Sequence, residues 1–175
     1  LIKEQTGVEK INRADHRNGT YGAICKNITV ATATDGNHGK SVAWGAREFG
    51  CQCKIYIHRE VSKGREQAIA KFGCEMVRIS GNYDDSVRQA DMDSHENNWH
   101  VVSDTSYPGY MDVPKYVMQG YTILASEISE QIDGVIPTHV FLPGGVGGIA
   151  AAVSAELWRI WGKNRPKVIV VEPRA

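Results

Sequence analysis

No apolar run in the 175-residue chain approaches the roughly 18 residues needed to span a bilayer. An excess of either charge is missing as well. Lys and Arg number 20 and Asp and Glu number 20, for zero formal net charge. That balance gives no electrostatic reason to expect nucleic acid or a membrane surface as a partner. Cysteine is scarce, with Cys25, Cys51, Cys53 and Cys74 only. The one-residue gap between Cys51 and Cys53 is neither a zinc spacing nor a redox CxxC. The expectation is four reduced, half-buried thiols and no metal. Internal repeats and low-complexity tracts are lacking too, which leaves no solenoid or disordered class to consider. The opening LIKEQTGVEK has no apolar h-region and no initiating Met. The expectations are a cytoplasmic location and a chain that is part of something longer.

What the chain does have is a regular alternation, and its 42% of hydrophobic residues suits a globular core. Residues 1–27 are poorly patterned. From residue 28, ITVATAT reads as a strand and KSVAWGAREFG as a helix stopped at Gly50. CKIYIH is a second strand. Ser62 is an N-cap for the helix KGREQAIAKFG, which ends at Gly73. CEMVRIS is a third strand, and residues 83–98 form a helix with Tyr83, Val87, Ala90 and Met92 along its apolar side. WHVVSDT is a fourth strand. This βαβαβαβ order predicts parallel sheets with crossover helices.

The glycine- and proline-containing SYPGYMDVPK then breaks the rhythm. It predicts two α/β lobes, residues 28–107 and 108–175, with one continuous sheet as the alternative. The second lobe reads as the helix KYVMQGYTILASEISEQI, the strand THVFLPG, the loop GGVGG, the helix IAAAVSAELWRIWG and the strand KVIVVEP.

Two strand–turn–helix junctions concentrate the chemistry. A helix beginning at a glycine-rich turn offers unpaired amides and a positive dipole end, which together accept anions. Gly144-Gly145-Val146-Gly147-Gly148 carries almost no side chain, so backbone can approach a phosphate closely. It is no Walker A loop, because Ile149-Ala150 follows where Lys-Ser/Thr is required, and it does not match GxGxxG. The other junction, Asp35-Gly36-Asn37-His38-Gly39, adds a carboxylate, an amide and an imidazole. Asp, Gly and Asn are also ordinary turn residues. Two anion-accepting turns in one α/β chain favour the functional reading, with one holding a phosphate and the other a carboxylate.

Thr34-Asp35-Gly36-Asn37-His38-Gly39, running into Ser41-Val42-Ala43-Trp44, resembles the asparagine loop of the fold-type II, tryptophan synthase β-like pyridoxal-phosphate enzymes. Those enzymes usually carry Ser where Asp35 stands. The Asp is closer to the diaminopropionate ammonia-lyases, as are Asn82 to Arg88, Val102-Ser103-Asp104-Thr105, Met118-Gln119-Gly120-Tyr121, Pro137 to Val140 and Val170-Val171-Glu172-Pro173. The likeness runs in order over about residues 28–175.

The resemblance implies pyridoxal 5'-phosphate as cofactor, a small amino acid as substrate, and α,β-elimination of 2,3-diaminopropionate to pyruvate and ammonia. Asn37 would bind the cofactor's 3-hydroxyl oxygen, and Gly144, Gly145, Val146, Gly147 and Gly148 its phosphate. Gly36, His38 and Gly39 would receive the substrate carboxylate through the loop backbone. Asp35 would be a base at Cα for one enantiomer, and Asp104 would bind substrate or assist proton transfer. A homodimer is implied for the full-length enzyme. The family's Schiff-base lysine has no counterpart here: Lys3, Lys10 and Lys26 stand in no matching motif. The expectation is a fragment truncated at both ends and inactive by itself. A threonine/serine dehydratase-like enzyme and a non-catalytic α/β binding module are the rival readings.

Other polar groups read as structural. His58 is assigned to the surface, and His95 and His100 have no ligand spacing. Asp84-Asp85 reads as a helix-start charge pair. Asp91 and Asp93 lie about 200° apart on a helix. Trp158 and Trp161 read as core or interface.

Overall fold

The β-branched run Thr29–Ala33 forms β1, and the strands β2 (Gln52–Ile57), β3 (Glu75–Arg78) and β4 (His100–Val101) join it in a sheet of order β3-β2-β1-β4. Every pairing is parallel. The computed structural model describes residues 2–12, 14–15 and 18–172, so Leu1 and Pro173 lie outside the described residues. The N-terminal segment carries two short helices, α1 (Ile2–Thr6) and α2 (Gly22–Cys25).

The crossover helices are α3 (Asn37–Phe49), α4 (Lys63–Ala70) and α5 (Tyr83–Asn97). Side chains alternate faces along a strand, and β2 uses both faces. Ile55 and Ile57 are fully buried with Ala43 of α3 and Ile69 of α4, whereas Tyr56 is buried with Ala31 and with Ala90 of α5. Each buried isoleucine contributes roughly 1.5–3 kcal/mol. The strand order explains the layering. From β1 to β3 the chain steps one way across the sheet, and from β3 to β4 it steps back. With crossovers of one hand, α5 must lie on the face opposite α3 and α4.

A division after Val102 separates two compact units. The second contains α6 (Asp112–Gln131), β5 (His139–Pro143), α7 (Gly148–Trp161) and β6 (Lys167–Val171), with a 3₁₀ turn at Gly162–Asn164. Strands β5 and β6 pair in parallel. Ala125, Leu142, Ala150, Val153 and Leu157 form its core. The expected parallel α/β architecture is therefore borne out.

Local chemistry sets most boundaries. Gly50 ends α3 in the left-handed region at φ 74°, where a Cβ would be strained. The Ser62 hydroxyl accepts the Arg65 amide at the start of α4. Asn82 and Asp85 form a reciprocal capping box on α5, so Asp85 acts at the helix start as expected. Its carboxyl is held below the usual range by the Asn82 amide and then by Arg88.

Several expectations need correction. Helix α4 ends at Ala70, short of Gly73. Helix α6 begins at Asp112, ahead of the expected Lys115, because Pro114 falls in its first turn. There the missing N–H has no intrahelical partner to lose. Strand β4 has two residues instead of seven, and it pairs with β1 alone. The apolar side assigned to α5 is also wrong. Val87 and Met92 are exposed, and the helix buries Ser86, Ala90 and Ser94. The large Tyr56 ring and Trp99 occupy that side of the sheet, so small residues at i, i+4 and i+8 let the helix approach. Asp93 also faces the sheet, accepting the Tyr56 hydroxyl at 2.5 Å and the Gln89 amide at 2.6 Å. Burial first, and then Asp93, raises the Tyr56 pKa.

Candidate functional site at two strand-to-helix turns

The first turn leaves β1 at the point where the strand order reverses, between β1 and β4. In open parallel sheets the crevice at the carboxyl ends of such strands is the usual ligand position. Thr34 closes the turn. Its buried hydroxyl oxygen accepts the amides of Gly36 and Gly39, both at 3.0 Å. Gly39 is required by packing: a Cβ there would lie 2.3 Å from Thr34 Cγ2. His38 Nε2 donates to the Val102 carbonyl at 2.8 Å, which ties the turn to the end of β4.

This arrangement decides which loop groups remain available. The Gly36 and Gly39 amides, expected to receive a carboxylate, are already bonded to Thr34. The amides of Asn37 and His38 have no acceptor among the described residues. The Asn37 side chain is exposed and makes no hydrogen bond among the described residues. Asp35, Gly36 and Asn37 line a cavity of about 350 Å³ with Lys40 and Arg65. Arg65 donates to the Asp35 carbonyl at 3.4 Å.

Asp35 has a partner that sequence reasoning missed. His58 Nε2 lies 2.9 Å from Asp35 Oδ1, and the His58 side chain is only 18% exposed, against 58% for Asp35. The assignment of His58 to the surface is therefore corrected. Parallel pairing matches Ala33 with Tyr56, and the same register continued two residues sets Asp35 beside His58. The signal lay in the register, which a sequence does not display. Thr34 was quoted in the motif without a role. A hydroxyl residue closing a turn onto the amides that follow is a recognisable pattern.

The second turn lies in the other unit. Gly147 caps α7 at φ 84°. Gly144 donates to the Val171 carbonyl at 2.9 Å, and a Cβ on it would lie 2.6 Å from the Glu172 side chain. Gly144, just past β5, thus has its amide taken. The Gly145, Val146, Gly147 and Gly148 amides have no acceptor among the described residues. They surround a cavity of about 220 Å³ lined also by Asp104, Met118 and Tyr121. Burial, and then Asp104, raises the Tyr121 pKa. The Tyr110 hydroxyl accepts the Ser103 amide at 2.9 Å, which helps to fix the segment bearing Asp104. The donor set, amides at the start of a 14-residue helix, fits a phosphate.

Among the described residues no group of three His, Cys, Asp or Glu could hold a metal ion, and no helix is long and apolar enough to cross a membrane. Cys51 neighbours Cys25 and Cys53 neighbours Cys74. Burial first, and then Cys25, pushes the Cys51 thiol up to about 11. Trp158 is exposed beneath the Arg165 guanidinium, 4.1 Å from its ring centroid, and Trp161 packs on the second core.

The family described as pyridoxal-phosphate dependent enzyme matches residues 3–175, so the match begins well before residue 28. Diaminopropionate ammonia-lyase of Escherichia coli K12 is 41% identical over 153 residues, covering 86% of this chain and 38% of the relative. The holo structure of the Escherichia coli enzyme, with selenomethionine incorporated, superposes with a TM-score of 0.87 at 38% identity, over 99% of this chain and 44% of that one. Its complex with D-serine gives a TM-score of 0.88 at 37% identity, over 99% and 44%. The chain spans about two-fifths of the length of these relatives.

Proposed function

Because the chain belongs to the pyridoxal-phosphate dependent enzyme family, we propose that the whole protein is an ammonia-lyase that eliminates ammonia from 2,3-diaminopropionate to give pyruvate. One observation carries the reading: an exposed, hydrogen-bonded carboxylate, Asp35, stands at the turn whose free Asn37 and His38 amides can receive a substrate carboxylate. Similarity to diaminopropionate ammonia-lyases supports the same substrate.

The Asn37 side chain would meet the cofactor's ring hydroxyl, and the amides of Gly145 to Gly148 its phosphate. When bound, pyridoxal phosphate supplies the electron sink for cleavage at Cα. No lysine for its covalent attachment is identified in the chain. The Asn37 and His38 amides orient the substrate carboxylate. Asp35 takes the Cα proton of one enantiomer, and Asp104 binds substrate or assists proton transfer. His38 holds the loop to β4 and is not an acid. The first unit is the small lobe and the second part of the large lobe of a cytoplasmic homodimer.

The test compares D- and L-2,3-diaminopropionate with threonine and serine as substrates of the full-length protein, before and after Asp35→Asn. Asn tolerates the same turn and leaves the amides in place, so only the base is lost. General-base catalysis is typically worth about 10²–10⁴-fold. One diaminopropionate enantiomer should lose that factor in kcat and the other much less, with cofactor retained. Faster turnover of threonine or serine would favour a dehydratase, and no 2-oxo acid from any of the four a binding module.

A further inference from the structure

The reading of Asp35 as a base leaves open what holds its carboxylate in place. We infer that His58 is the positioning residue of Asp35, donating from Nε2 to Oδ1 so that the second carboxylate oxygen stays free to take a proton. The inference rests on the proposed role of Asp35.

The tautomer follows from hydrogen-bond logic. His58 Nδ1 receives the Glu60 amide at 3.3 Å, and an amide can only donate. Nδ1 therefore carries the lone pair and Nε2 the proton. That proton points at Asp35 Oδ1, 2.9 Å away. The backbone that carries the ring is held as well. Arg78 donates to the His58 carbonyl at 3.2 Å and to the Arg59 carbonyl at 2.9 Å, and it pairs with Glu66 at 2.6 Å. Half-buried His58 is thus fixed at the end of β2, and the more exposed Asp35 is fixed by it.

The chemical consequence is a division of labour within one carboxylate. Oδ1 is committed to the imidazole and Oδ2 is not. The substrate Cα–H bond breaks, its proton passes to Oδ2, and its electron pair remains with the substrate. His58 passes no proton on, because its Nδ1 lone pair is engaged by the Glu60 amide. It is not a relay.

The experiment uses the full-length protein. His58→Ala should lower kcat for the Asp35-dependent enantiomer by about ten- to hundredfold, the range of a hydrogen bond to a charged group. KM and the other enantiomer should hold. His58→Gln, which can place an amide donor near the Nε2 position, should recover most of the loss, and His58→Ala should add nothing in an Asp35→Asn background. Equal losses for both enantiomers, or the same loss in that background, would overturn the inference. Histidine-selective ¹⁵N NMR provides a reading independent of turnover. A neutral Nε2–H ring whose signal moves on Asp35→Ala upholds the pair, and an Nδ1–H ring or an unmoved signal overturns it. If neither enantiomer is turned over, the proposed function fails and the NMR result still decides for or against the pair.

Discussion

Gly39→Ala sets two physical effects against each other. Helix propensity alone favours Ala over Gly by about 1 kcal/mol in a helix, and Gly39 lies in α3. The added methyl would sit 2.3 Å from Thr34 Cγ2, 3.0 Å from its Cβ and 3.2 Å from its Oγ1. Thr34 cannot retreat freely, because its hydroxyl holds the Gly36 and Gly39 amides at 3.0 Å. Losing both bonds costs about 1–3 kcal/mol, and overpacking a buried site costs about 1–3 kcal/mol more. After the propensity gain the expected net loss is roughly 1–5 kcal/mol. Urea unfolding of the full-length protein reads this as a lower midpoint. Thr34→Ser removes Cγ2 and keeps the hydroxyl, so the double variant Thr34→Ser/Gly39→Ala should recover part of the loss. A Gly39→Ala protein as stable as wild type would refute the reasoning. So would a double variant no better than the single one.

Ser94 Oγ is buried without a hydrogen-bond partner among the described residues. Ser94→Ala should therefore raise stability by about 1 kcal/mol, and a fall in the urea midpoint would mean that the hydroxyl has an acceptor. The Glu156 carboxyl is held below its ordinary value of 4.5 by Arg159 and then by the Ser126 hydroxyl. A depressed folded-state pKa adds stability above the unfolded value and loses it as pH falls through the folded one. Glu156→Gln should accordingly flatten the acid limb of the stability profile below about pH 4.5, with little change in its slope at neutral pH. An unchanged acid limb counts against the Glu156 assignment.

The alternation of strands and helices was legible because parallel sheets write it in short periods, with Gly50 and Ser62 as punctuation. Both glycine-rich turns leading into helices were legible for the same local reason. Tertiary neighbours were not. The buried face of α5 depends on Tyr56, a bulky strand residue whose partner helix needs Ser86 and Ala90 beneath it. His58 becomes a partner of Asp35 only through the β1–β2 register. The glycine amides at 36 and 39 looked free until the Thr34 hydroxyl was placed. Each of these facts belongs to two segments at once, and a single stretch of sequence contains only one of them.

The short strand β4 also has a consequence for the order of assembly. It meets the sheet only through Val30 and Ala31. The Val102 carbonyl, just past its end, anchors His38 from 64 residues away. Strands β1, β2 and β3 can find one another across single crossovers, but β4 must close a far longer loop. The entropy of closure rises with that length, and contacts distant in sequence form late. The turn bearing Asn37 is thus begun by the first strand and finished by the last. Its protection against hydrogen exchange should follow β4, so the end of the sheet that bears this turn matures after its hydrophobic middle.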